Sequence, residues 1–125
     1  MALYIVLENK APGFDPFVNG KALGRSEKQL AEIAARLGLR PLMEFFSVNR
    51  DEAGEFLESE GVSDVEIPGE QWFSPEDGLR TVQALLGQVE NAPELEGVKA
   101  DLLEFEGVLR QAHAKGIKWH LAVDF

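Results

Sequence analysis

The stretch VKADLLEFEGVLRQAHAKGIKWHLAVDF, residues 98–125, joins a helix to a strand and contributes most to predicting the fold. Its apolar residues recur at spacings of four and three from Val98 onward, which places them on one helical face. Gly116 is suited to end that helix, because glycine readily adopts the left-handed conformation found after a last turn. Residues 117–125 then alternate apolar and polar side chains, as in a strand with one wet face. We therefore predict a last helix ending near Ala114 and a final strand.

A second strand is predicted at the other end of the sequence, where Ala2–Leu7 is almost entirely apolar. Such a run predicts burial on both faces and a central place in a sheet. Two further helices have clear starts at Ser26 and at Ser74-Pro75, since serine caps a helix and proline suits its first position. Another helix is predicted over residues 49–61.

The intervening segments predict more extended structure. Asn19-Gly20 is a strong hairpin signal between short apolar runs, and Pro41–Ser47 has the composition of a short strand. The length predicts one domain over residues 1–125. We therefore expect an α/β or α+β fold, with a single sheet of about three to five strands that includes both terminal strands, packed with about four helices.

Charge is distributed unevenly along the chain. The net charge is −10, and residues 51–106 hold 16 acidic side chains but only Arg80 and Lys99 as cations. Such a surface repels phosphate, so neither nucleic acid nor an anionic membrane is expected as a partner. Solubility is the simplest role for this charge, and attraction of a basic protein is the functional alternative.

The candidate residues for binding a basic partner lie on the predicted helix over residues 49–61 and just after it. Four carboxylates share the outer face of that helix, and Trp72 would supply an aromatic anchor beside them if its ring is exposed. The four acidic candidates are Asp51, Glu52, Glu55 and Glu58.

Catalytic and metal-binding patterns are sparse. The chain has no cysteine and only two histidines, so a zinc site would need His113 and His120 with carboxylates, which their separation makes improbable. We expect neither a metal nor a cofactor. The best general base is His120, served by Asp124 on the same strand face or by Asp15 or Glu8 through tertiary contact. The simpler interpretation is a half-exposed histidine on a strand.

Several segments together resemble a family of small bacterial proteins without an established activity. These segments are MALYIVLE, FVNGKAL, PLMEFFS, QWFSPEDGLRTVQALL and KWHLAVDF, and they cover most of the chain. The resemblance implies a bacterial cytoplasmic protein and assigns no catalytic residue. A cytoplasmic location also fits the lack of cysteine, of a membrane span and of a signal peptide.

Three classes of function remain open from the sequence. The first is an acidic module that binds a basic protein, for example as an inhibitor or immunity-type partner. The second is a small hydrolase or isomerase that uses His120 and a nearby carboxylate. The third is a self-associating structural protein, such as a homodimer formed through a strand edge or an exposed tryptophan.

Overall fold

The computed structural model describes residues 2–9, 11–47 and 70–124, which form an α+β fold. The sheet has two antiparallel strands, β1 (Ala2–Leu7) and β2 (Trp119–Asp124). Its register places Ala2 opposite Asp124 and Leu7 opposite Trp119. The two terminal strands are therefore neighbours, as the sequence indicates.

The described residues also form four α-helices and two short 3₁₀ turns. Ser74 caps one helix, its Oγ accepting a hydrogen bond from the Glu76 N–H at 3.2 Å, and Gly116 ends another with a φ of 67°. The helices are α1 (Lys21–Arg25), α2 (Glu27–Arg36), α3 (Pro75–Val89) and α4 (Glu96–Lys115), and the turns span Leu42–Phe45 and Pro93–Leu95. The predicted helix over residues 49–61 lies outside the described residues.

Among the described residues, the sheet has fewer strands than the predicted three to five. Residues 42–45 form a 3₁₀ turn in the segment predicted as a strand, and only Phe46 beyond it makes a bridge, to Leu121. A second isolated bridge joins Phe73 to Trp119. These bridges satisfy the side of β2 away from β1 without building further strands.

The predicted hairpin at Asn19-Gly20 is wrong. Gly20 instead directly precedes α1, and its carbonyl accepts the Leu3 N–H at 3.1 Å. A Cβ at this position would overlap the Leu3 carbonyl oxygen, so the close approach of the two backbones requires glycine. The glycine that suggested a tight turn in the sequence is instead required by this backbone contact with β1.

The two strands differ from their predicted burial. Along β1, Leu3, Ile5 and Leu7 are buried while Tyr4 is exposed, so one face of the strand is partly open and β1 is not buried on both faces. With two strands in the described sheet, β1 lies at an edge and not in a central place. In β2, residues 119–122 are all buried, so its predicted wet face is covered over most of its length. Apolar content for β1 and alternation for β2 therefore assigned the two strands to the wrong environments.

An aromatic group packs the inner face of β2. The buried Trp119 stacks on Phe45 with ring centroids 5.0 Å apart, and Phe45 meets Phe73 edge-on at 5.3 Å. The indole Nε1–H of Trp119 donates to the Ser74 carbonyl at 3.1 Å, which ties β2 to the start of α3. Gly78 lies against the same indole.

Candidate functional site

His120 lies on the opposite face of β2 from Trp119 and is buried, with 2% of its surface exposed. Its Nδ1 is 3.0 Å from the Leu121 carbonyl oxygen, and its Nε2 is 2.7 Å from Glu70 Oε2. The indole of Trp72 packs on the imidazole, with ring centroids 4.8 Å apart. The histidine is thus enclosed by its own strand and by the segment that leads into α3.

The two hydrogen bonds constrain the protons of His120. The Leu121 carbonyl can only accept, so Nδ1 carries a hydrogen and donates it. A proton must then lie between Nε2 and Glu70 Oε2, because two acceptors alone would not form a bond at 2.7 Å. The contact between Nε2 and Oε2 is therefore a hydrogen bond between the two side chains.

The pair secures residues 70–73 on the sheet. The neighbouring Gln71 N–H donates to Ser47 Oγ at 2.7 Å, and Phe73 exchanges two backbone hydrogen bonds with Trp119. Both ring nitrogens of His120 are occupied and the ring is closed to solvent. In this arrangement the histidine supports the fold and presents no nitrogen to a substrate.

The carboxylate beside His120 is not one of the three that the sequence suggested. Asp124 is exposed at the far end of β2 opposite Ala2, and Asp15 is exposed in the loop before α1. Glu8 is exposed just beyond β1, where its N–H donates to the Lys118 carbonyl at 2.9 Å. No sequence signal marks Glu70, because it lies fifty positions from His120 and belongs to no recognisable motif.

The residues expected to bind a basic partner fall into two groups. Trp72 is half-buried against His120, so much of its ring is used within the fold. The four carboxylates of the predicted acidic helix, Asp51, Glu52, Glu55 and Glu58, lie outside the described residues.

A groove lies beside the first half of β1 and is closed at one end by Asp124 of β2. We call it the edge groove; its volume is about 570 Å³, and it lies between β1 and the 15–20 segment. Two aromatic side chains line it, Phe17 with 76% of its surface exposed and Tyr4 with 40%. This volume lies within the range of about 300–1,000 Å³ typical of ligand sites.

The loop that presents Phe17 is braced before this residue by a turn within the loop and anchored after it to α4. The Phe17 N–H donates to Asp15 Oδ1 at 3.0 Å, and the Asn19 N–H donates to Glu104 Oε2 on α4 at 2.7 Å. Between them Val18 is buried in the core. The exposed phenyl ring is therefore held outward by a fixed backbone.

The charged side chains of the edge groove are Asp15, Asp124 and Lys21. The two carboxylates come from opposite walls, one from the loop and one from the end of β2. Acidic groups thus outnumber basic ones around an otherwise apolar surface.

Just behind the groove, Asp101 on α4 fixes the start of α1. Its Oδ2 accepts the N–H groups of Ala22 at 2.9 Å and Leu23 at 3.2 Å. Burial raises the pKa of the Asp101 carboxyl above its ordinary value, and the nearby charge of Glu104 acts in the same direction. The two backbone hydrogen bonds oppose this rise.

Comparisons with protein-family models, with curated proteins and with solved structures found no match to this chain. The described helices include none with both the length and the apolar character needed to cross a membrane. Within the same residues, no three histidine, aspartate or glutamate side chains are grouped so as to hold a metal ion.

Proposed function

We propose that this protein is a binding module that receives a basic protein partner at the edge groove. The observation that carries the proposal is Phe17, a large apolar side chain that is 76% exposed yet held by an anchored loop. Exposed aromatic rings beside a concave surface are typical anchors of protein interfaces. A loop whose backbone is already fixed loses little conformational entropy when the ring is buried by a partner.

Charge supports a basic partner. Asp15 and Asp124 flank the groove, and the chain as a whole has a net charge of −10. A negative surface of this kind accelerates encounter with a cationic protein and disfavours acidic ones. The acidic residues of the 51–60 segment add to the same long-range attraction.

Enzymatic use of His120 has less support. A general base must reach the proton that it removes, whereas this ring is 2% exposed and both of its nitrogens are bonded within the fold. Self-association through the groove is tested by the experiment below.

The test compares the wild type with two serine variants of exposed apolar residues. Phe17→Ser removes the groove anchor, and Leu103→Ser is the matched control because Leu103 is 49% exposed on α4 and does not line the groove. Each purified protein is immobilised and exposed to a bacterial lysate at about 50 mM and about 300 mM NaCl, since screening weakens exposed charge pairs. Bound proteins are quantified by mass spectrometry.

We expect the wild type and Leu103→Ser to retain the same proteins of net positive charge, more strongly at low salt. Phe17→Ser should retain them about tenfold less, as loss of an anchor side chain does. Equal capture by Phe17→Ser, or capture of no basic protein, would refute the proposal. Light scattering that shows a wild-type dimer and a Phe17→Ser monomer would instead assign the groove to a second copy of the chain.

A further inference from the structure

On the outer edge of β1, the backbone groups of Leu3 and Ile5 lie beside the edge groove. The Leu3 N–H points away from β2 and donates to Gly20, and backbone direction alternates along an antiparallel strand. The N–H and C=O groups of Ile5 and Leu7 therefore also point outward. Among the described residues, the N–H groups of Ile5 and Leu7 donate no hydrogen bond.

The opposite edge of the sheet is occupied. On β2, Leu121 accepts the Ser47 N–H, and Trp119 exchanges two hydrogen bonds with Phe73. The edge of β1 is thus the side on which the described sheet can extend. An open edge beside a groove is the arrangement that strand-adding peptides recognise.

We propose that the partner binds as an extended segment that adds to the outer edge of β1. This inference rests on the proposed function and specifies how the partner binds. The incoming backbone pairs with the outward groups around Ile5, and Phe17 and Tyr4 cover its aliphatic side chains. Basic side chains of the incoming segment are attracted by Asp15 and Asp124, the two carboxylates that line the edge groove.

The groove also indicates the chemistry of this segment. In a strand, side chains alternate between the two faces of the sheet, so apolar and basic residues at alternating positions match a surface that is apolar with carboxylates at its margins. A second copy of β1 is a poorer match, because residues 2–7 contain no basic side chain. The occupant is therefore a segment of alternating aliphatic and basic residues from another protein.

The probe is a short acetylated peptide amide of alternating valine and lysine, added to the full-length protein. Two further peptides carry N-methyl groups, one on the valines and the other on the lysines. These peptides keep the side chains and charge of the parent but each loses one row of N–H donors. Only one row of an added strand faces β1, so the two methylated peptides act as controls for each other.

We expect the parent peptide to bind, and to bind about tenfold more weakly to Phe17→Ser. One methylated peptide should also lose about tenfold in affinity, since a lost hydrogen bond leaves its partner unpaired, while the other binds like the parent. Hydrogen exchange followed by NMR should show slower exchange of the Ile5 amide on binding. The Leu3 amide is an internal control because it already donates to Gly20.

Three results would overturn strand addition. They are no binding of the parent peptide, equal binding of all three peptides, and unchanged exchange at Ile5 with the parent bound. Any of these three results leaves the proposed function intact if the wild type still captures basic proteins and Phe17→Ser captures fewer of them. Loss of that capture would refute the proposed function itself.

Discussion

Asp101 shows how one buried carboxylate links pH to the stability of this fold. Burial raises its pKa above 3.8, and the hydrogen bonds from Ala22 and Leu23 only partly oppose the effect. Between 3.8 and the raised value the folded chain binds more protons than the unfolded chain. Through this window, the contribution of Asp101 to the free energy of unfolding decreases as pH rises.

We expect Asp101→Asn to remove this contribution to the pH dependence, because the amide oxygen can accept the same N–H groups without carrying a charge. Relative to the wild type, the variant should gain stability as pH rises through the window and keep that gain above it. Urea unfolding from about pH 3 to about pH 8 measures the difference. The control is Asp124→Asn, at an exposed position, and parallel curves for wild type and Asp101→Asn would contradict the assignment.

Glu70 provides a second prediction at this scale. Glu70→Ala leaves the Nε2 of a buried imidazole without its partner and should lower the free energy of unfolding by about 1–3 kcal/mol. Glu70→Gln retains a hydrogen-bonding group at the same position, because its amide can donate to Nε2 of a neutral ring or accept from a protonated one, and it should cost less. Chemical denaturation of both variants checks the order. A loss no larger for Glu70→Ala than for Glu70→Gln would show that the hydrogen bond does not support the fold.

Individual residues were predictable where their role is local. Serine at position 74 and glycine at position 116 serve the helix ends that their sequence neighbours indicate. The setting of His120 could not be predicted in this way, because its partner Glu70 and its covering Trp72 approach only after the chain has folded. Burial of a strand histidine depends on what covers the sheet, and strand periodicity carries no such information.

At the scale of elements, the contact between α3 and β2 depends on one glycine. A Cβ at position 78 would overlap the buried indole of Trp119, so Gly78→Ala should destabilise the protein by about 1–3 kcal/mol through overpacking. Gly87 lies on the same helix with open space beside it, and Gly87→Ala should stabilise by about 0.5–1 kcal/mol. Thermal or urea unfolding of the two variants gives the comparison.

The opposite signs make this test specific. Alanine favours the helix at both positions, so any difference between them reports the contact with the indole. If both variants gained stability, the close packing of α3 on Trp119 would be wrong.

The elements themselves divide into those with local signals and those without. Helices α3 and α4 follow from their apolar stripes and end signals, and their observed bounds agree with these to within a few residues. Residues 41–47 are apolar enough for a strand, but the core there takes Phe45 and Leu42 from a 3₁₀ turn. A short apolar run fits either conformation, and tertiary packing decides between them.

At the scale of the whole molecule, the edge groove is assembled from the first strand, the loop before α1 and the last strand. No single stretch of sequence contains it, so the sequence pointed instead to the acidic residues of the middle of the chain. Several described carboxylates from that stretch have partners within the fold. Glu76 contacts Arg80 at 3.2 Å, Glu106 contacts Arg110 at 3.5 Å, and Glu104 holds the Phe17 loop.

The pairing of Ala2 with Asp124 also governs when the sheet can form. During synthesis β1 leaves the ribosome well before β2, and the helices between them can form from local contacts in the meantime. Until β2 emerges, β1 lacks the strand with which it pairs. The pairing of the two strands, and the part of the edge groove that Asp124 forms, can therefore be completed only after the last strand has been synthesised.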